Sequence, residues 1–186
     1  MSYNQNLVKS RESDKMKAII REILWTILLA LIIFGALQVT VQSFRVEGSS
    51  MEPSLHTGQY LMVNKVVYRF HPPQRGEVIV FHPPINPSRD YIKRVIAVPG
   101  ETVEVRAGGV YIDGIPLDEP YLGEPTNYTF SHQEVPPDNY FVLGDNRNHS
   151  SDSHIWGAVP RHNIVGKAWF CYWPVWEWGS APNYSP

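Results

Sequence analysis

Three short stretches of this chain concentrate side chains able to do covalent chemistry. The first, Glu47-Gly-Ser-Ser-Met-Glu-Pro-Ser-Leu55, places serines on a turn led by glycine and limited by proline. Such a turn can project a hydroxyl and aim neighbouring backbone N–H groups at an oxyanion, although an idle Ser-rich turn has the same composition. The second is Tyr91-Ile-Lys-Arg94, which opens the apolar run Val95-Ile-Ala-Val-Pro-Gly100. Successive side chains in a strand alternate faces, so Tyr91 and Lys93 share one face while Ile92 and Arg94 share the other. A lysine opening an apolar strand can be dehydrated, which lowers its pKa. Bringing it from about 10.4 to near 7.5 costs roughly 4 kcal/mol, at about 1.36 kcal/mol per unit. The bland alternative is a strand-end lysine snorkelling to water. The third stretch, Gly144 to His154, reads Gly-Asp-Asn-Arg-Asn-His-Ser-Ser-Asp-Ser-His and holds more hydrogen-bonding groups than a hairpin turn needs. His149 and His154, five residues apart without an acidic or cysteine ligand pattern, make a poor metal site. A polar network supporting a neighbouring site is the better reading. No metal or cofactor is expected, since the chain has neither a Gly-rich phosphate loop nor paired cysteines. The single cysteine, Cys171, permits no internal disulfide and reads as a small buried hydrophobe.

The body that must position these stretches reads as β. From Phe44 onward, apolar residues come in short runs: 60–64, 77–81, 92–98, 102–105, 110–112, 140–143 and 167–172. Turn signals such as Arg75-Gly76, Pro99-Gly100, Asp113-Gly114 and Gly144-Asp145 separate them. Sixteen prolines and 12% aromatic residues fit a loop-rich sandwich or small barrel better than a helical bundle. Residues 123–133 are polar and irregular, part of an expected surface excursion over about 106–138. A formal charge of −2 argues against nucleic acid as a partner.

Ahead of this body, Ile23 to Val41 is apolar almost throughout, about 19 residues and close to the ~20 that cross a bilayer. A buried core helix would show a polar face at 3.6-residue spacing, and this run shows none. Lys9, Arg11, Lys15, Lys17 and Arg21 all precede it, which by the positive-inside rule keeps the N-terminus in the cytoplasm. The expected organisation is a basic N-terminal segment over 1–21, a transmembrane anchor over 22–42 and an extracytoplasmic β-rich domain over 43–186. A cleavable signal is the rival reading. Its best cleavage site, Val41-Gln42-Ser43, is a poor match for small residues at −3 and −1.

Taken together, these features resemble the type I signal (leader) peptidases over nearly the whole chain. Gly48-Ser-Ser-Met-Glu-Pro-Ser-Leu55 is similar to that family's S-M-x-P-T-L core. Arg75-Gly-Glu-Val-Ile-Val-Phe81 resembles its second block, Tyr91 to Gly100 its lysine block, and Gly144 to Ser153 its G-D-N-R-x-x-S-x-D-S block. The resemblance implies a mainly antiparallel β catalytic domain behind one transmembrane helix, with Ser50, directly before methionine, as nucleophile and Lys93 as general base. It further implies that Ser150 and Tyr91 orient the lysine and that Asp145 pairs with Arg94. Arg147, Asp152 and Ser153 would support them, while Phe44, Val46, Met51, Leu55, Tyr91 and Ile92 would line the substrate cleft.

By the same resemblance, the substrates would be signal peptides of exported preproteins, cut after small residues at −1 and −3. The lipid bilayer and the export machinery would be the other partners, at a bacterial plasma membrane or a thylakoid. Two positions depart from the family pattern. Gly48 stands where some members carry an oxyanion-hole hydroxyl, leaving backbone donors alone or Ser49 as the alternatives. His154 stands where some members carry an arginine that pairs with the aspartate two residues earlier, implying a weaker, pH-dependent support for Asp152. The aromatics of 169–178 could sit at the membrane interface; a packed final strand explains Trp169 to Trp173 equally well, so Trp176 and Trp178 are the better candidates. A self-cleaving repressor would need a DNA-binding domain in place of the span, and a catalytically silent β module would have no use for both Ser50 and Lys93.

Overall fold

The computed structural model describes residues 2–184, with backbone alone for 2–14 and Ala18. Met1, Ser185, Pro186 and the side chains of Lys9 and Arg11 lie outside the described residues. The chain divides into two units, 1–40 and 41–186. The first is one helix, α1 (Ser2–Thr40). Its stretch Lys15–Thr40 is long and apolar enough to cross a membrane, and the apolar window within it is not buried in the protein. The hydroxyls of Thr26 and Thr40 turn back onto the carbonyls of Glu22 and Ala36, each at 2.9 Å, so they add no unpaired polar group to this surface. The helix stops at Thr40. Val41 and Gln42, expected in the anchor, instead begin a strand, where β-branched and polar residues alternate across a ladder.

The second unit is antiparallel β. One sheet follows the order β1 (Val41–Arg45), β2 (Tyr60–Asn64), β11 (Ile164–Trp173), β3 (Val78–Phe81), β4 (Tyr91–Ala97), β9 (Asn139–Leu143) and β10 (Val159–Pro160), with β12 (Gly179–Ser180) pairing β11. A smaller sheet runs β7 (Ile115–Pro116), β6 (Gly109–Ile112), β5 (Thr102–Arg106), β8 (Phe130–Glu134). Part of the expected polar excursion is therefore sheet. Beyond Phe130 the 130–134 run lacks strong β formers, but Phe130 packs against a core cluster and the ladder to β5 fixes the rest.

Three hydrophobic clusters hold the unit. Ile96, Ala97, Phe141 and Leu143 of the large sheet pack on Val103, Val105, Val110 and Ile112 of the small one. Val46, Met51, Leu55, Leu61, Val78, Ala168, Cys171 and Ala181 form a second cluster beneath the Ser-rich turn. Ile79, Phe81, Val95, Tyr140, Val142 and Val159 form the third. The pairing of β11 shifts register three times, between Ile164 and Gly166 against β3, and between Ala168 and Phe170 and between Cys171 and Trp173 against β2. Such bulges bend a strand and raise its twist. Of the two readings of Trp169 to Trp173, packing inside does not hold for Trp169 and Trp173. They are 57% and 49% exposed, with Trp176 and Trp178 at 78% and 66%, because the inward positions of β11 go to Ala168 and Cys171.

Gly166 of β11 sits close against Val63 and Asn64 of β2. A Cβ there would run into the Asn64 carbonyl oxygen and lie 2.9 Å from Val63 Cγ1. Gly166→Ala should therefore destabilise the β unit by about 1–3 kcal/mol, the usual range for overpacking. A lowered thermal midpoint of the full chain in detergent checks this; an unchanged midpoint would show that β2 and β11 can part there.

Candidate active site

The Ser-rich turn is held from below. Met51 and Leu55, each 1% exposed, insert into the second cluster, and Leu55 N donates to the Met51 carbonyl at 2.8 Å. The sequence expectation that these two line the cleft is corrected: in so tight a turn the apolar side chains go down into the core, leaving the polar face up. Gly48 takes φ +84°, a left-handed conformation open to glycine at little cost, and Thr57 Oγ1 donates to its carbonyl at 2.9 Å. Asn146 fastens the turn from the third stretch, its N–H donating to the Ser50 carbonyl at 3.0 Å and its Nδ2 to the Ser49 carbonyl at 3.1 Å. The Ser50 N–H donates to no acceptor among the described residues.

Lys93 meets this turn from β4. Its Nζ lies 2.6 Å from Ser50 Oγ and donates also to the Ile92 carbonyl at 3.0 Å. Burial pushes its pKa down to about 8, against the pull of Asp152 and Asp145, which raise it. The Tyr91 ring lies on the same side, 5.7 Å from Nζ to the ring centroid. Ser150, expected to orient the lysine, has a buried Oγ with no hydrogen-bond partner in the protein. It packs instead against Gly144. A Cβ on Gly144 would collide with Ser150 Oγ and the Ser50 carbonyl oxygen and lie 2.8 Å from Ser150 Cβ. Only glycine allows the third stretch this close to the turn.

Arg94, next along β4, points the other way and is fully buried. It pairs with Asp145 through two bonds of 2.8 and 2.6 Å, and its Nη1 donates to the carbonyls of Gly76 and Pro182 at 2.8 and 2.7 Å. The guanidinium carbon lies 3.9 Å from the Tyr121 ring centroid. Arg147, also buried, donates to Glu119 through Nη1 at 2.8 Å and through Nη2, and to the Gly144 carbonyl through Nε at 3.1 Å. Tyr121 donates to the same Glu119 carboxylate at 2.7 Å. Asp152 accepts from Gly144 N at 3.0 Å and caps α2 (Ser153–Trp156) through His154 N. Ser153 Oγ accepts from Val142 N at 3.0 Å. His154 Nδ1 lies 2.5 Å from Asp152 Oδ1 while its ring stacks on Tyr128 at 4.1 Å, so the replacement for arginine still reaches its aspartate. Glu119, Tyr121 and Pro182 carried no signal in the sequence. They lie outside every motif, Glu119 and Tyr121 within the stretch that reads as a polar surface excursion.

A cavity of about 390 Å³ opens beside Ser50 and Lys93. Phe44, Val46, Tyr91 and Ile92 line it, joined by Leu61 and Val80, which alternation along β2 and β3 brings inward, and by His149 and Ser151. The β4 ladder to β9 begins only at Arg94, and β1 pairs on one side alone, so both lining strands keep backbone groups free. Cys171 lies buried beneath, its thiol pushed up by burial. No cluster of three or more metal-ligating side chains occurs among the described residues.

The sequence model of the family described as "Signal peptidase, peptidase S26" matches residues 19–173. The probable signal peptidase I-1 of Synechocystis sp. is 44% identical over 174 residues, covering 89% of each chain. Signal peptidase I of Leptolyngbya laminosa is 48% identical over 149 residues, 75% of this chain and 73% of that one. The chloroplastic thylakoidal processing peptidase 1 of Arabidopsis thaliana is 41% identical over 139 residues, 69% of this chain and 41% of that one. Among solved structures, a signal peptidase I from Enterococcus faecalis aligns with TM-score 0.45 and 37% identity, over 51% of this chain and 95% of that one. With the match running from the helix through β11, the chain belongs to the signal peptidase family, peptidase S26, and is a serine endopeptidase of the signal peptidase I type.

Proposed function

We propose that this chain is a membrane-anchored endopeptidase that removes signal peptides from exported preproteins, with Ser50 as nucleophile and Lys93 as general base. One observation carries the reading: a dehydrated lysine lies 2.6 Å from the hydroxyl of a serine that lines an open cavity. In its neutral form Lys93 Nζ takes the Ser50 Oγ proton as Oγ attacks the scissile carbonyl. The oxyanion lies within reach of the unengaged Ser50 N–H. Gly48 offers no hydroxyl there. As the C–N bond breaks, the Lys93 ammonium returns its proton to the leaving amine. Water then gives a proton to Lys93 and attacks the acyl-enzyme ester, the carboxylate product departs, and Ser50 Oγ recovers the proton.

The free backbone edges of Phe44–Arg45 and Tyr91–Lys93 suit an extended peptide added as a strand. The apolar cavity floor beside Ser50 favours small side chains such as alanine at −1 and −3. The α1 span anchors the protein, at a plasma or thylakoid membrane and near the export machinery that delivers its substrates. Lys15, Lys17 and Arg21 keep the N-terminus cytoplasmic and the β unit opposite. The exposed indoles of Trp176 and Trp178 suit the headgroup layer.

The full chain in detergent should cleave a preprotein with alanines at −3 and −1, and Ser50→Ala should lose activity by roughly 10⁶-fold. Full activity in Ser50→Ala would refute the nucleophile assignment. Lys93→Arg should be inactive, because a guanidinium stays charged. Since the base works neutral, kcat/KM should rise with pH through an acid limb near pH 8; a flat profile between pH 6 and about 9 would exclude Lys93.

The same burial has a stability consequence. The lysine's folded pKa of about 8 lies below its ordinary 10.5. The penalty is therefore complete below about pH 8 and fades as pH rises towards 10.5, where the lysine is neutral in both states. Its size is about 3 kcal/mol, at about 1.36 kcal/mol per unit. Lys93→Met should unfold at a higher temperature than wild type at pH 7, with the gain shrinking as pH rises. Equal midpoints throughout would show that the lysine is hydrated.

A further inference from the structure

The family match ends at residue 173, yet the chain beyond it folds back onto the β unit: Ala181 is buried, Pro182 and Tyr184 are half-buried, and Asn183, itself exposed, sends its amide to the buried strands β3 and β11. The Asn183 side chain acts there as an extra peptide group. Its Oδ1 accepts from Val78 N at 2.8 Å and its Nδ2 donates to the Ala168 carbonyl at 2.9 Å. These atoms belong to β3 and β11 just past their last pairing, Lys167 with Ile79, so Asn183 fills the gap where the two strands separate. On either side, Ala181 N donates to the Trp169 carbonyl at 2.9 Å and Tyr184 N to the Gly76 carbonyl at 3.1 Å. The segment is thereby fixed so that the Pro182 carbonyl accepts from Arg94 Nη1 at 2.7 Å. Tyr184 packs edge-on against Tyr121, the ring that covers the Arg94 guanidinium, and its hydroxyl donates to Asp118 at 3.0 Å.

We propose that Ala181–Tyr184 is a positioning strap for the active site, closing the Arg94 pocket so that this guanidinium stays locked on Asp145. The reasoning rests on the Ser50–Lys93 assignment. A buried guanidinium keeps its place only while its donors have acceptors and water is excluded. The strap supplies one of the two carbonyls on Nη1 and holds the aromatic cover. The charged groups acting on Lys93 are Asp145 and Asp152, both of which favour its ammonium form, while the Tyr91 ring lies beside it. Arg94 is the cation that neutralises Asp145. Without the strap, water enters and the Arg94–Asp145 pair loosens. Asp145 then acts on Lys93 less compensated, and the lysine holds its proton to higher pH.

The test uses the full chain in detergent, an internally quenched peptide with alanines at −3 and −1, and two variants: truncation after Ala181, and Asn183→Ala. Each is scored for folding by thermal unfolding. Expected are a kcat lower by about tenfold with KM within about twofold, and an acid limb of kcat/KM moved up by about 0.5–1 pH unit. If the truncation does not fold, Asn183→Ala, which keeps the whole backbone, decides. A folded variant whose acid limb stays in place, whether kcat falls or not, makes the segment a stability element and overturns the proposal. Ser50→Ala runs alongside: its inactivity with a neutral strap variant sinks only the strap, whereas its activity sinks the underlying assignment.

Discussion

Much of this structure answers one demand: an amine must sit almost out of water, 2.6 Å from a serine hydroxyl, with two carboxylates close enough to hold it protonated. Dehydration drives the lysine towards neutrality and the carboxylates oppose it. The balance depends on what the carboxylates themselves face. Asp145 is taken up by Arg94, and Asp152 by the Gly144 N–H and His154. Strand alternation makes this possible, since adjacent residues of β4 carry two cations in opposite directions, one towards the cavity and one into a sealed pocket.

The second buried guanidinium extends the same logic. Arg147 binds Glu119 and the Gly144 carbonyl, so a residue of the small-sheet region bears on the backbone beside Ser50. A buried ion pair adds little net stability over a well-packed apolar replacement, whereas removing one partner is severe. Such pairs specify an arrangement more than they strengthen it. Here they join the turn after β9, the 118–121 segment and the C-terminal segment, three parts of the chain far apart in sequence.

Much of the fold was legible. The apolar span, seven strand cores and the turn signals between them follow from periodicity and turn chemistry, which are local. The strands that escaped notice were short, as in β7, β10 and β12, polar, as in β8, or hidden in the end of the apolar span, as in β1, and they exist because a neighbouring ladder supplies their hydrogen bonds. The two cleft residues misread as lining, Met51 and Leu55, follow the same rule. An apolar residue in a motif gives its chemistry but not its direction, and the core beneath the turn claimed both.

By itself, the sequence determined which residues carry reactive groups, that Lys93 and Arg94 must diverge, and that a helix able to span a bilayer precedes a β body. Composition and two-residue alternation suffice for those statements. Only the tertiary structure decided that Lys93 is dehydrated, that Ser150 faces Gly144 without a hydrogen-bond partner, and that Glu119, Tyr121 and Pro182 enclose the two buried arginines. Burial and charge compensation depend on segments that meet only after folding, so no local pattern of residue types encodes them.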